Sequence, residues 1–148
     1  MFVIEEILAI SDFVSIGIND LPQFMLATDR NSLAIIDDYT VLHLSVLRAV
    51  HQVIEAANAV RKPVAVCGEA VADPRVACLF FGLGARRLGM SPVSAAQVPY
   101  AVRASPQNSL ESLAQVALNS DSAQTVSKLV TDALLNIYPE FCSAKISM

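Results

Sequence analysis

Apolar positions recur along this chain with two different periods, and the switches between them mark out its elements. Leu47, Val50, Ile54 and Ala57 return at helical intervals between Leu44 and Val60, while Arg48, Gln52, Glu55 and Asn58 fall on other faces. That spacing predicts an amphipathic helix, stopped by Arg61-Lys62-Pro63. Phe13, Val14 and Ile16 instead make a short β-prone run over 12–16 that Gly17 ends, and Val64, Ala65 and Val66 make a second, which delivers Cys67 at its carboxyl end. Residues Arg87 to Met90 form a weaker third strand. Between these runs the pattern is helical: residues 1–10 read as the end of a helix, 20–28 as a helix opened by the cap Asn19-Asp20-Leu21-Pro22, and Pro74 to Leu83 as a helix capped by Asp73 and closed by Gly84. Leu110, Leu113, Ala114, Ala117 and Leu118, then Val126, Leu129, Val130, Ala133, Leu134 and Ile137, mark two more stripes. Asn108 with Glu111, and Asp121 with Gln124, stand ahead of them at capping-box spacing.

Strand centres near 14, 65 and 89, each followed by a helix, call for an α/β fold with parallel strands. In a TIM (β/α) barrel the chemistry sits at the carboxyl ends of the strands, the edge on which Asn19, Asp20 and Cys67 fall. A whole barrel takes about 250 residues, so this chain of 148 residues is expected to hold part of one. The expected division is a partial (β/α) barrel of three βα units over 1–104, beginning in mid-fold, and a carboxyl-terminal helical extension of the same domain over 105–148. The last two helices would cover an end of the barrel or contact another subunit. Three parallel strands also leave two open sheet edges, which predicts self-association.

Composition narrows the function classes. Apolar residues make up 54% of the chain, enough to require a search for membrane spans. The richest run, Val76 to Leu83, is too short to cross a bilayer and is closed by Arg86-Arg87, so it is expected to be a buried helix. A net charge of −4, with the 10 basic residues scattered, argues against nucleic acid or an anionic membrane as partner. Cys67, Cys78 and Cys142 share no metal-site or disulfide spacing, and the acidic Met1–Glu6 opening carries no secretion leader. A cytoplasmic protein with reduced thiols is expected.

The stretch from Asp12 to Leu21, running on to Arg30, carries the candidate chemistry. A carboxylate, an amide and a guanidinium there suit a metal-bound phosphate or carboxylate ligand near a helix amino terminus, although an ordinary capped turn shares the same spacing. Asp37-Asp38 reads as solvated surface. His43 and His51 lie in or beside the 44–60 helix, not at a strand end, and Gly82-Leu83-Gly84 follows a helix and lacks the third glycine of a dinucleotide loop.

Ser15-Ile16-Gly17-Ile18-Asn19-Asp20-Leu21-Pro22-Gln23-Phe24, followed by Leu26-Ala27-Thr28-Asp29-Arg30-Asn31, resembles the segment S-[IV]-G-T-N-D-L-T-Q-[YF]…L-A-V-D-R-[GN] of enzyme I of the bacterial phosphoenolpyruvate-dependent sugar phosphotransferase system. Cys67-Gly68-Glu69-Ala70-Val71-Ala72-Asp73-Pro74 is similar to that family's C-G-E-[LM]-A-G-D-[EP], in the same order and at close to the same spacing. The likeness spans nearly the whole chain but covers only the last part of the family's phosphoenolpyruvate-binding barrel. It implies a phosphotransferase that passes the phosphoryl group of phosphoenolpyruvate to a histidine in a separate domain, leaving pyruvate. By this resemblance Asp20 binds Mg²⁺ and lies in the substrate site, Asn19 and Arg30 hold the phosphate and carboxylate of the substrate, and Cys67 is the acid that protonates the methylene carbon of enolpyruvate. It also implies that the earlier strands with their phosphate-binding arginines, a first Mg²⁺ carboxylate and the phosphohistidine domain come from another domain or chain. Ile18 stands where the family has Thr, Leu44 where it has Pro, and Ala72 where it has Gly. Two alternatives stay open: a non-catalytic remnant acting as an assembly or regulatory module, and a piece of the related phosphoenolpyruvate synthase or pyruvate phosphate dikinase.

Overall fold

A computed structural model describes residues 3–27, 41–92 and 97–137. Strands β1 (Val14–Gly17), β2 (Val64–Cys67) and β3 (Arg87–Gly89) form one sheet in the order β1-β2-β3, with both pairings parallel. Helix α1 (Ile4–Ile10) precedes β1; α2 (Leu21–Leu26) and α3 (Leu44–Ala59) lie between β1 and β2. A 3₁₀ turn (Glu69–Ala72) and α4 (Pro74–Gly82) join β2 to β3, and α5 (Val98–Ala104), α6 (Gln107–Leu118) and α7 (Ala123–Ile137) follow. Parallel neighbours need such crossovers, so the alternation of periods in the sequence is the α/β architecture itself. Helix α5 is one that the hydrophobic pattern had not located.

The two faces of the sheet differ. Ile16, Val64 and Val66 point into the core, where Leu47, Val50, Ile54 and Ala57 of α3 and Leu79 and Phe80 of α4 are buried with them. Each such side chain removed from water contributes about 1.5–3 kcal/mol before the cost of ordering it. The other face carries Ser15, Gly17, Ala65, Cys67, Arg87 and Gly89, all exposed or half-buried. Register sets these in two rows: Ser15, Ala65 and Arg87, then Gly17, Cys67 and Gly89 at the carboxyl edge.

Helix ends explain several local choices. Gly84 has φ +100° after α4, and Gly84 N–H donates to Phe81 O (3.0 Å) while Ala85 N–H donates to Phe80 O (3.0 Å), the paired bonds of a Schellman cap. Asp73 caps the start of α4 as expected, accepting from Arg75 N–H at 2.8 Å. Lys62 reaches back to the carbonyls of Leu8 and Ser11 at the end of α1, and Arg48 donates from Nε (3.1 Å) and Nη2 (2.9 Å) to Leu118 O at the end of α6. Such contacts satisfy carbonyls that a helix leaves without an internal partner.

The expected capping boxes of the last two helices are not formed. Asn108 lies inside α6, behind a Pro106 cap position, and α7 is opened by Ser122, whose hydroxyl accepts from Thr125 N–H at 3.1 Å. Asp121 instead accepts from the Thr125 hydroxyl at 2.8 Å, which holds its carboxyl below the usual range. Pro106 at the cap position of α6 has no N–H to satisfy, and at α7 the Ser122 hydroxyl supplies the capping oxygen.

Candidate functional site

The site is built where β1 and β2 end side by side. Gly17 pairs with Cys67, and the ladder runs one step further as Ile18 N–H donates to Cys67 O at 2.9 Å and Gly68 N–H to Gly89 O at 3.1 Å. Beyond that step the chains turn, and a side chain joins them: Asn19 Oδ1 accepts from Glu69 N–H at 2.9 Å. The two segments singled out in the sequence are therefore tied to each other at one edge of the sheet.

Glycine makes this closure possible. Gly68 has φ +152°, and a Cβ built there would lie 2.4 Å from Asn19 Oδ1 and 2.9 Å from Ile18 Cγ1. Any other residue would push the carboxamide away. With Oδ1 committed to the backbone, the amide nitrogen of Asn19, a double donor, is the end turned away from Glu69. Ile18, where the resembling family has Thr, is fully buried, so its extra carbon fills core and not the exposed edge.

Cys67 sits between two glycines in its row, Gly17 and Gly89. A Cβ on Gly17 would meet nothing within 4 Å, and one on Gly89 would stand 3.1 Å from the Cys67 Cβ. No neighbouring side chain in the row crowds the thiol. Its sulfur lies 3.0 Å from Ser15 Oγ and 3.5 Å from Ile16 O. Cys78 is a different thiol: it is buried in α4, and desolvation pushes it up to about 11, opposed by a hydrogen bond from Ser105 and reinforced by the charge of Asp73. At neutral pH it is an inert core side chain.

Asp20 is exposed at the cap position of α2, but its side chain makes no cap hydrogen bond with that helix, contrary to the sequence reading. Pro22 in the first turn removes one N–H that a cap would satisfy. Arg30, the Asp37-Asp38 pair and Cys142 lie outside the described residues. His43 caps α3, its Nδ1 accepting from Ser45 N–H at 3.3 Å, and His51 is half-buried on the same helix. Among the described residues no group of three or more His, Cys, Asp or Glu side chains is placed to hold a metal ion, and no helix is long and apolar enough to cross a membrane.

Two residues on the open face were not singled out from sequence: Ser15, which reaches the thiol, and Arg87, which lies across from Ala65. Ser15 shares a strand face with Gly17 by the two-residue period alone. Only the register, which brings β2 alongside, shows that this face is also that of Cys67.

Residues 1–106 match the family model described as PEP-utilising enzyme, PEP-binding domain. The chain belongs to the PEP-utilising enzymes. Within that family it is 36% identical over 124 residues to a phosphoenolpyruvate-protein phosphotransferase of Haemophilus influenzae, an alignment covering 84% of this chain and 22% of that protein. It is 43% identical over 88 residues to a protein of the same name from Chlamydia trachomatis, covering 60% of this chain and 15% of that one. A multiphosphoryl transfer protein of Xanthomonas campestris is 37% identical over 119 residues, 80% of this chain and 14% of its own length. The chain thus spans less than a quarter of the length of these relatives, and the enzyme I resemblance read from its motifs is shown by the match.

Proposed function

We propose that this chain forms the carboxyl-terminal rim of a phosphoenolpyruvate site in an enzyme I-type phosphotransferase, binding phosphoenolpyruvate or pyruvate while the phosphoryl group passes to a histidine on another domain or chain. The observation that carries this reading is the Asn19–Glu69 bond, which ties the loop bearing Asn19 and Asp20 to the loop that follows Cys67. On this reading Asn19 offers its amide donors to the ligand, and Arg30 a planar fork suited to phosphate or carboxylate. Cys67 gives the thiol proton to the methylene carbon of enolpyruvate.

Asp20 fits a Mg²⁺ site as a single exposed carboxylate, since that ion takes one or two carboxylates and completes its shell with water and substrate phosphate. The ion would supply charge neutralisation for the phosphoryl group in transfer. We take residues 1–104 as the barrel part and 105–148 as its helical extension. The small and polar open face of the sheet suits the lumen of a (β/α) barrel whose outer face packs on helices. Val3 at the cap position of α1, with Ile7 and Ile10 within it, leaves an exposed apolar stripe, and β1 is an edge strand of the sheet among the described residues. It supports docking of further βα units, or of a second copy of the chain, along that edge. Light scattering at rising concentration distinguishes these: a monomer at all concentrations argues against self-association.

Calorimetry with phosphoenolpyruvate and Mg²⁺ tests the site directly. Binding is expected in the parent chain and weaker binding in Arg30→Ala; heat unchanged by that substitution would remove the guanidinium from the contact set. A second reading, a non-catalytic assembly or regulatory module, is favoured by the exposed apolar side chains of Val3, Ile7 and Ile10, which offer a surface for another chain. An adjacent reading frame encoding earlier barrel strands and a histidine domain would favour the enzyme. The phosphoenolpyruvate synthase or pyruvate phosphate dikinase reading is less well supported, because the relatives above are named as phosphotransferases and a phosphoryl transfer protein.

A further inference from the structure

We propose that Ser15 is a positioning residue for Cys67, its hydroxyl holding the sulfur in place and donating to the thiolate that remains once the thiol proton has left. This rests on the reading of Cys67 as the proton donor to carbon. In that step the enolate electron pair forms the new C–H bond, the S–H bond breaks, its electron pair stays on sulfur, and the carbonyl of pyruvate re-forms. A negative sulfur then faces two protein oxygens, Ser15 Oγ at 3.0 Å and the Ile16 carbonyl at 3.5 Å. The carbonyl can only accept, so it serves the protonated thiol and repels the thiolate. The Ser15 hydroxyl rotates and serves both: it accepts from S–H before transfer and donates to S⁻ afterwards.

Position favours the same role. Ser15 and Cys67 share the open face, and Ser15 is exposed, so its hydroxyl touches both the sulfur and the solvent from which a proton can return. The charged groups around the thiol are few among the described residues. Arg87 of β3 lies on the same face, and Asp20 and Glu69 stand on the loops at its edge. None of these three is shown hydrogen-bonded to the sulfur, and among the described residues Ser15 is its side-chain partner.

The test is the rate at which Cys67 reacts with a neutral aromatic disulfide across pH, resolved from the other cysteines by peptide mass spectrometry, in the parent chain, Ser15→Ala and Ser15→Thr. A hydroxyl that donates to the thiolate stabilises it by about tenfold and blunts its nucleophilicity by about the square root of that factor. Ser15→Ala is therefore expected to react about threefold more slowly at neutral pH and about threefold faster at alkaline pH, where both thiols are ionised, and Ser15→Thr to restore the parent curve. A change of access alone moves both limbs in the same direction. Rates equal to the parent, a shift of both limbs together, or a crossover that Ser15→Thr fails to restore would each overturn the assignment. Calorimetry of the same three proteins with phosphoenolpyruvate and Mg²⁺ keeps the two ideas separate. Lack of binding in the parent overturns the substrate reading and with it the catalytic meaning of the pair, whereas the thiol curves judge the hydrogen bond by itself.

Discussion

Replacing Gly68 by Ala should break the joint between the two loops, and the structure sets the size of the effect. The residue has φ +152° and ψ +166°, a region open essentially to glycine, and holding a side chain there costs about 1–3 kcal/mol. The new Cβ would also lie 2.4 Å from Asn19 Oδ1, so the carboxamide must move and its bond to Glu69 N–H is lost, a further 0.5–1.5 kcal/mol or about 1. The sum is about 3 kcal/mol. Asn19→Ala removes only the bond and should cost about 1 kcal/mol. In the double variant nothing remains for the Cβ to strike at position 19, so it should cost about 3 kcal/mol and not the additive 4, a coupling of about −1 kcal/mol. Urea denaturation of the parent, both single variants and the double variant reads all four values, with midpoints moving at constant slope. Additivity within about 0.3 kcal/mol, or a neutral Gly68→Ala, would show that the close approach of Gly68 and Asn19 does not hold the loops together.

Two further outcomes follow from packing and burial. Gly82→Ala should destabilise by about 2 kcal/mol in urea despite a gain of about 1 kcal/mol in helix propensity, because its Cβ would lie 2.1 Å from Leu110 O and force α4 and α6 apart; a more stable variant would refute this. Stability should fall as pH rises from about 9 to about 11, since an unfolded Cys78 ionises near its ordinary value of 9.0 while the folded thiol, raised to about 11, keeps its proton. Over that window the unfolded state binds fewer protons. The fall should be smaller in Cys78→Ala, and equal slopes in the two proteins would count against the burial argument.

The sequence by itself determined the elements and their kind. The period-2 runs at Val14–Ile16 and Val64–Val66 and the helical stripe of Leu47, Val50, Ile54 and Ala57 are statements about which residues share a face, and burial follows them directly. The strand ends carrying Asn19 and Cys67 were legible too, because a parallel α/β order leaves those ends on one edge. Helix starts were less legible at Asp20, Asn108 and Asp121, where a plausible capping side chain is displaced by a neighbouring proline or serine whose fit depends on backbone geometry. The tertiary structure alone decided the contacts across the sheet. Ser15 meets Cys67, and Asn19 meets Glu69, over separations of about fifty residues. Such pairings are set by register, and a shift of one residue would send every one of these side chains to the opposite face.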